Sequence, residues 1–448
     1  MEDAQKRRMM EEMPEPQLLW KMAGPSMAGV MAYNLYNIFD TLFVSQGTGA
    51  SGVGGIAVSF PLFIFLSAVS STLGSGAASV ISRALGKGDI NLAAKAATNT
   101  FALFYATALL ITVCGLVWLD ELLMFMGVTQ SLMPYARAYT RIILLGAVTS
   151  TGFSSLIRAE GSSRYAMYIW VIPMCANIVL DSLFIFALHM GVTGAAVGTV
   201  AAQCISMGMS IYYFFISGKS VLHIQRRHFA PDFSLMGEMI SIGLPSFLQM
   251  GGQSVALVLV NRLLKIYSGD MAISAYGIVN RIIVFISFPI QGLAQGLAPV
   301  IGYNKGADKY VRTKKLLKTA AIMAGVYGIG AFLAVLAGAE GLMRIFTGDP
   351  QVQHTGSHML GIISSALVFS GIQTMETVYF QAAGKKALSL FLALLGQVLC
   401  FIPGLLVLAN TLGQDGIWYA FPVSAFAAFG ISTWAVGLEG RRRNSAAG

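Results

Sequence analysis

Long apolar runs, interrupted by short clusters of charge and glycine, set the pattern of this chain. A membrane-crossing helix needs about 20 mostly apolar residues. Twelve stretches meet that length: residues 18–45, 53–82, 94–119, 132–157, 165–189, 193–216, 236–265, 271–302, 316–338, 354–380, 387–411 and 415–438. Their apolar residues are continuous, without the alternation of a barrel strand. Several are longer than a bilayer requires, which predicts tilt or bending. The expected fold is an all-α integral membrane protein with twelve transmembrane helices.

Composition agrees. Of 448 residues, 56% are hydrophobic and 11% charged, with a mean hydropathy of +0.69, against roughly 25% charged in a soluble domain. These values exclude a soluble globule, a disordered chain and a disulfide-rich secreted module. The net charge of +9 first suggests nucleic acid, but the placement of the charges argues otherwise. With the N-terminus in the cytoplasm, 23 of the 29 lysines and arginines fall in cytoplasmic segments and five on the outer side, leaving Arg281 within a span. That asymmetry predicts a multi-pass plasma-membrane protein with both termini cytoplasmic and no nucleic-acid partner. Cys114, Cys175, Cys204 and Cys400 lie in apolar runs without CxxC spacing and read as small hydrophobes. The charged N-terminus, MEDAQKRRMMEEMPEPQ, lacks the apolar core of a cleaved signal peptide.

A weak internal repeat divides the chain. Gly24-Pro25-Ser26 returns as Leu244-Pro245-Ser246, and Gly76 with Val80-Ile81 returns as Gly296 with Val300-Ile301, both offset by 220. "GKGD" (86–89) resembles "NKGAD" (304–308), "RAEG" (158–161) matches "QAAG" (381–384), and Gly194 matches Gly416. The organisation read from this is an N-terminal lobe at 1–216, a cytoplasmic linker at 217–235 and a C-terminal lobe at 236–448, each lobe with six spans. An even number of spans per lobe keeps the lobes parallel, as in some secondary transporters, with the cavity between them.

Ionisable groups inside spans are costly and are candidates for function. Asp40, Asp181, Glu376 and Arg281 are in this class. Asn177 lies one turn before Asp181 on the same helical face. At 1.5 Å per residue, Asp40, Asn177, Asp181 and Thr199 come to a common level in the outer half of the bilayer. Their oxygens suit a hard cation such as sodium. They suit a proton equally, because burial and a neighbouring carboxylate favour the neutral acid. Polar pairs also tie membrane helices together, but two acids in hydrocarbon exceed that need. Arg281 and Glu376 sit at different depths; Arg281 reads equally as functional or structural, and Glu376 leans slightly to the structural reading. Pro25 reads either as a bending point of the first span or as a static kink. Tyr33, Asn37 and Asp40 share a face, and with Tyr36 could line a pocket for flat organic cations.

The chain resembles the MATE (multidrug and toxic compound extrusion) antiporters, in the branch with DinF- and MepA-like proteins. The resemblance rests on Pro25 followed by "NIFDTLFVSQGTGASGVGGIAVSFPL" (37–62), "GSGAASVISRALGKGD" (74–89), "RAEGSSRYAM" (158–167), and "NIVLDSLFIF" (177–186) followed by Thr199 in "GAAVGTVAAQ". It implies two six-helix lobes and export driven by inward proton or sodium movement. The family's first-lobe ion site carries over to Asp40, Asn177, Asp181 and Thr199, with Pro25 as the bending point. Members of the NorM-like branch have a glutamate eight residues past the second-lobe proline, where this chain has Gln253, and Glu376 does not align with their second-lobe aspartate. A second-lobe cation site of that type is therefore not expected.

The function expected is cation-coupled efflux of organic, chiefly cationic compounds by alternating access, in a monomer surrounded by lipid. No cofactor is expected, and no metal beyond a sodium ion at those four residues. A lipid-linked precursor flippase of related architecture is the alternative, but it calls for a strongly cationic cavity, and only Arg281 clearly lies in a span. No HExxH, GxSxG or intramembrane His/Asp cluster suggests an enzyme. His189, His354 and His358 lie near the outer edges.

Overall fold

A computed structural model describes residues 2–149 and 153–447, without the side chains of residues 2, 3, 37, 41, 49–51, 53, 58, 270 and 440–447. Among the described residues the chain forms helices and no strand. A short helix, α1 (Glu2–Glu12), precedes the long helical tract α2 (Glu15–Lys87). There follow α3 (Ile90–Val117), α4 (Met133–Leu145) and α5 (Phe153–Ala159). Then come α6 (Ser163–Ala187), α7 (Gly191–Ile216), α8 (Phe233–Tyr267), α9 (Gly269–Gly306) and α10 (Tyr310–Phe346). The last are α11 (Pro350–Ala382), α12 (Lys386–Leu412) and α13 (Gln414–Ala447).

Eleven stretches among the described residues are long and apolar enough to cross a membrane, the first being Ser59–Lys87. The start of α2 supplies the twelfth that the sequence predicts. Although α2 is helical throughout, it cannot be straight. Ala23 packs on Gly296, and Ser82 packs on Gly302 of the same helix, yet a straight helix would hold Ala23 and Ser82 roughly 90 Å apart. The tract therefore doubles back into two limbs. Helix runs unbroken through Pro25.

Close backbone packing joins the two halves, and it is reciprocal. A Cβ on Gly86 would overlap the Tyr303 carbonyl, and a Cβ on Gly306 would overlap the Arg83 carbonyl. Both pairs are related by the offset of 220. In the same way, Gly76 faces Met239 and Gly243, while Gly296 faces Met22 and Ala23. The same contact made with the halves exchanged is the mark of a two-fold relation. Larger residues at these glycines would force the helices apart.

The helix ends that carry Arg83, Lys219, Lys309 and Arg312 gather on one face, here called the basic face, and α1 lies across it. Toward the first half, Lys6 Nζ donates to the Lys219 carbonyl at 2.6 Å and to the Tyr213 hydroxyl at 3.5 Å. Toward the second half, the Tyr303 hydroxyl and Lys309 Nζ each donate to Glu11 at 2.8 Å. Arg312 donates to the Met13 carbonyl. The Lys309 hydrogen bond leads in pulling the Glu11 carboxyl down to about 2, with smaller help from Tyr303 and Arg7. On the same face Arg83 pairs with Glu238 across the halves at 3.1 Å.

Candidate functional site

Helix α6 places Asn177 and Asp181 one turn apart on a face that is fully buried. The Asn177 Nδ2 donates to Asp181 Oδ1 at 3.1 Å. Immediately after Asp181 the helix widens into π-type turns at Ser182–Ala187, an irregularity common at functional sites. Helix α7 brings Thr199 alongside, and the first limb of α2 brings Tyr36 and Asp40. The Tyr36 hydroxyl donates to Thr199 Oγ1 at 3.1 Å. The Asp40 and Asp181 carboxyls lie within side-chain hydrogen-bonding reach of each other.

Three helices thus deliver all four residues singled out in the sequence to one buried cluster. Its hydrogen-bond inventory is incomplete. Asp40 Oδ1, Asn177 Oδ1 and Asp181 Oδ2 are buried acceptors without a donor. A buried acceptor left unpaired costs about 1–3 kcal/mol. Two carboxylates in contact also repel unless one is neutral or a cation lies between them. Both deficits have the same remedy, a proton or a small cation supplied with oxygen ligands.

The structure adds two residues that the sequence reading missed. The Tyr139 phenol, from α4, stands within electrostatic range of both carboxyls. Gly198 abuts Asp181 so closely that a Cβ there would overlap Asp181 Oδ1. The only sequence signal for Gly198 is its place beside Thr199. Nothing in the sequence marks Tyr139.

Of the expected pocket residues, Tyr33 packs against Tyr36 with ring centroids 6.5 Å apart and meets the edge of Trp170 at 5.0 Å. The Asn37 side chain lies outside the described residues. Arg281, on α9, is exposed and has no hydrogen-bond or ion-pair partner among the described residues, so no such link ties it to the cluster. Glu376 is buried on α11, where it accepts from the Ser432 hydroxyl and from Thr433 Oγ1, the latter at 2.9 Å. Among the described residues no acid or base of the second half pairs with it, and it takes no part in the Asp40–Asp181 cluster.

The family model described as MatE matches residues 25–183 and again residues 245–406. The chain belongs to the MatE family. Each half carries one copy of the match, and the copies begin at Pro25 and Pro245. Among relatives, "Multidrug export protein MepA" of Staphylococcus haemolyticus (strain JCSC1435) is 28% identical over 89% of this chain and 88% of its own length. The protein of the same name from Staphylococcus aureus (strain MSSA476) is 25% identical over 92% of each. Among solved structures, "Outward-facing conformation of a multidrug resistance MATE family transporter of the MOP superfamily" superposes with a TM-score of 0.91 at 25% identity over 98% of both chains. "Crystal structure of MATE in the bent conformation" gives the same values. The resemblance read from the sequence motifs is thus borne out at the level of family and of fold.

Proposed function

We propose that this chain is a cation-coupled antiporter that exports organic, chiefly cationic compounds across the plasma membrane, working as a monomer with both termini in the cytoplasm. The observation that carries this reading is the buried Asp40–Asp181 contact with three acceptor oxygens unpartnered around it. A transporter needs a site that gains and loses charge as it turns from one side to the other. This cluster is incomplete when empty and satisfied when loaded.

The coupling ion is a proton or sodium, held by Asp40, Asn177, Asp181 and Thr199. Loading neutralises the acids and removes their repulsion, which favours tighter packing of the first limb of α2 against α6 and α7. Tyr36 bridges the site to the pocket side through Thr199, so a bound ion and a substrate resting on Tyr33 and Tyr36 compete for the same helix position. Asn37 and Arg281 complete the proposed pocket, and Pro25 lowers the cost of bending the limb. The lobes, 1–216 and 236–448 joined by the linker, rock about their two-fold seam.

Asp40→Asn and Asp181→Asn each remove the charge change while keeping volume and one acceptor. Each is expected to abolish ethidium efflux while membrane levels stay normal. Wild-type efflux from both variants would end the proposal. Flux in proteoliposomes under separately imposed pH and sodium gradients identifies the ion.

A further inference from the structure

We propose that the basic face carries a built site for the phosphate of an anionic phospholipid, set among α1, the start of α2, the start of α6 and the linker. A cavity of about 290 Å³ lies there. Its wall brings together Lys21, Arg164 and Lys219 with Tyr165, Tyr168 and Tyr213. Elsewhere on this face Arg83, Lys95, Lys309 and Arg312 each have an acidic partner. Lys21, Arg164 and Lys219 have none among the described residues. Three like charges gathered on one wall repel, and an anion between them turns that repulsion into attraction. The adjoining acid, Glu160, does not serve, because it is buried and accepts from Ser220 Oγ and the Val221 amide.

A second feature of the cavity also calls for an anion. The residues that open α6 line it, and the N-cap residue Ser162 makes no capping bond from its side chain. Its hydroxyl instead accepts from Tyr213 at 2.7 Å. The first-turn amides of α6 are thus left without a side-chain cap, at the end of the helix where the dipole favours negative charge.

The surroundings identify the anion as a lipid rather than free phosphate. Trp20, next to Lys21, and Tyr168 are 59% and 47% exposed, as aromatic residues are at the headgroup level of a membrane. Ile172, one turn further into α6, and Tyr212, Phe215 and Ile216, in the last turns of α7 before the linker, are also exposed, giving an apolar flank on which acyl chains can lie. A soluble anion gains nothing from that flank.

The test is native mass spectrometry of the full chain, released from detergent after incubation with equal amounts of phosphatidylglycerol and phosphatidylcholine of matched acyl chains. Wild type is expected to retain phosphatidylglycerol in preference by roughly fivefold or more, since each Lys or Arg near an anionic headgroup adds attraction. The variant Lys21→Gln/Arg164→Gln/Lys219→Gln is expected to lose that preference. The control Lys87→Gln/Lys318→Gln/Lys386→Gln removes as many exposed charges from other parts of the chain and is expected to keep it. Equal retention of the two lipids by wild type would overturn the proposal, as would an undiminished preference in the first variant or an equal loss in the control. Displacement of the lipid by inorganic phosphate at equal concentration would assign the cavity to a soluble anion and also overturn it. Should the triple variant not fold, Arg164→Gln alone is compared by melting temperature. Phosphatidylglycerol should raise that of wild type and leave the variant unmoved, and an equal rise in both counts against the site.

Discussion

At the scale of single residues, the cluster was legible wherever chemistry conflicts with the solvent. An aspartate in an oily run is conspicuous, so Asp40 and Asp181 stood out, and helical spacing attached Asn177 to Asp181. Tyr139 was not legible, because a tyrosine in a span offends nothing until the fold brings it to the acids. Gly198 was hidden for a different reason: its role is the absence of a side chain beside Asp181 Oδ1. Gly198→Ala is therefore expected to push the Asp181 carboxyl away from Asn177 and Asp40, with an overpacking cost of ~1–3 kcal/mol and a severalfold loss of efflux. Gly208, on the same helix, has open space where its Cβ would be, so Gly208→Ala should leave both properties unchanged. Ethidium efflux and melting temperature of the two variants check this. A Gly198→Ala protein with normal flux would show that the glycine does not position the acid.

At the scale of elements, the hydropathy pattern located the spans to within about eight residues at either end, but two features escaped it. The first limb of α2 runs into the second through a glycine-rich stretch, "GTGASGVGG" (47–55), that stays helical, where composition alone suggests a break. The N-terminal segment shows only charge and the lack of a signal-like apolar core, yet Met10 is buried and α1 docks across both halves. Eleven residues are too few to show amphipathicity against so many charges. The linker has an anchor of similar obscurity. Burial lifts the Glu160 carboxyl to about 7, against the opposing hydrogen bonds from Val221 and Ser220 and the charge of Lys6. A docked linker therefore holds more protons at this residue than a detached one, so docking weakens as pH rises from about 4.3 to about 7 and levels off above. Attachment is expected to be tighter at pH 5 than at pH 8 by ~1–3 kcal/mol, and Glu160→Gln should flatten the profile. Hydrogen exchange at the Val221 amide, which donates to Glu160 Oε2 at 2.8 Å, measures it once intrinsic rates are corrected. Equal protection at the two pH values in wild type would remove the effect.

At the scale of the whole molecule, the repeat becomes a mechanical statement. Landmarks spaced by 220 residues suggested two halves, and the reciprocal glycine contacts show how the halves meet: backbone on backbone, along limbs of α2 and the helices α8 and α9. At these glycines backbone meets backbone, and the side-chain ties across the seam that must part are few and polar, among them Arg83–Glu238 at 3.1 Å. Beside Gly76 in this seam the Ser75 and Ser246 hydroxyls are 3.1 Å apart, and Gln381 Nε2 donates to both, at 3.3 and 3.1 Å. Those three residues come from different helices and from both halves. If the halves rock as proposed, turning toward the opposite state breaks this contact. A disulfide demands sulfurs about 2.05 Å apart, and side-chain tips that already touch at 3.1 Å face each other closely enough for cysteines there to approach that. With Cys114, Cys175, Cys204 and Cys400 replaced by serine, Ser75→Cys/Ser246→Cys should cross-link on mild oxidation and lose transport. Flux should return with reductant, because the link blocks movement and leaves the Asp40–Asp181 cluster untouched. Full transport by a population that mass spectrometry shows to be cross-linked would mean that this seam does not open during the cycle, and the halves would have to move by some other route.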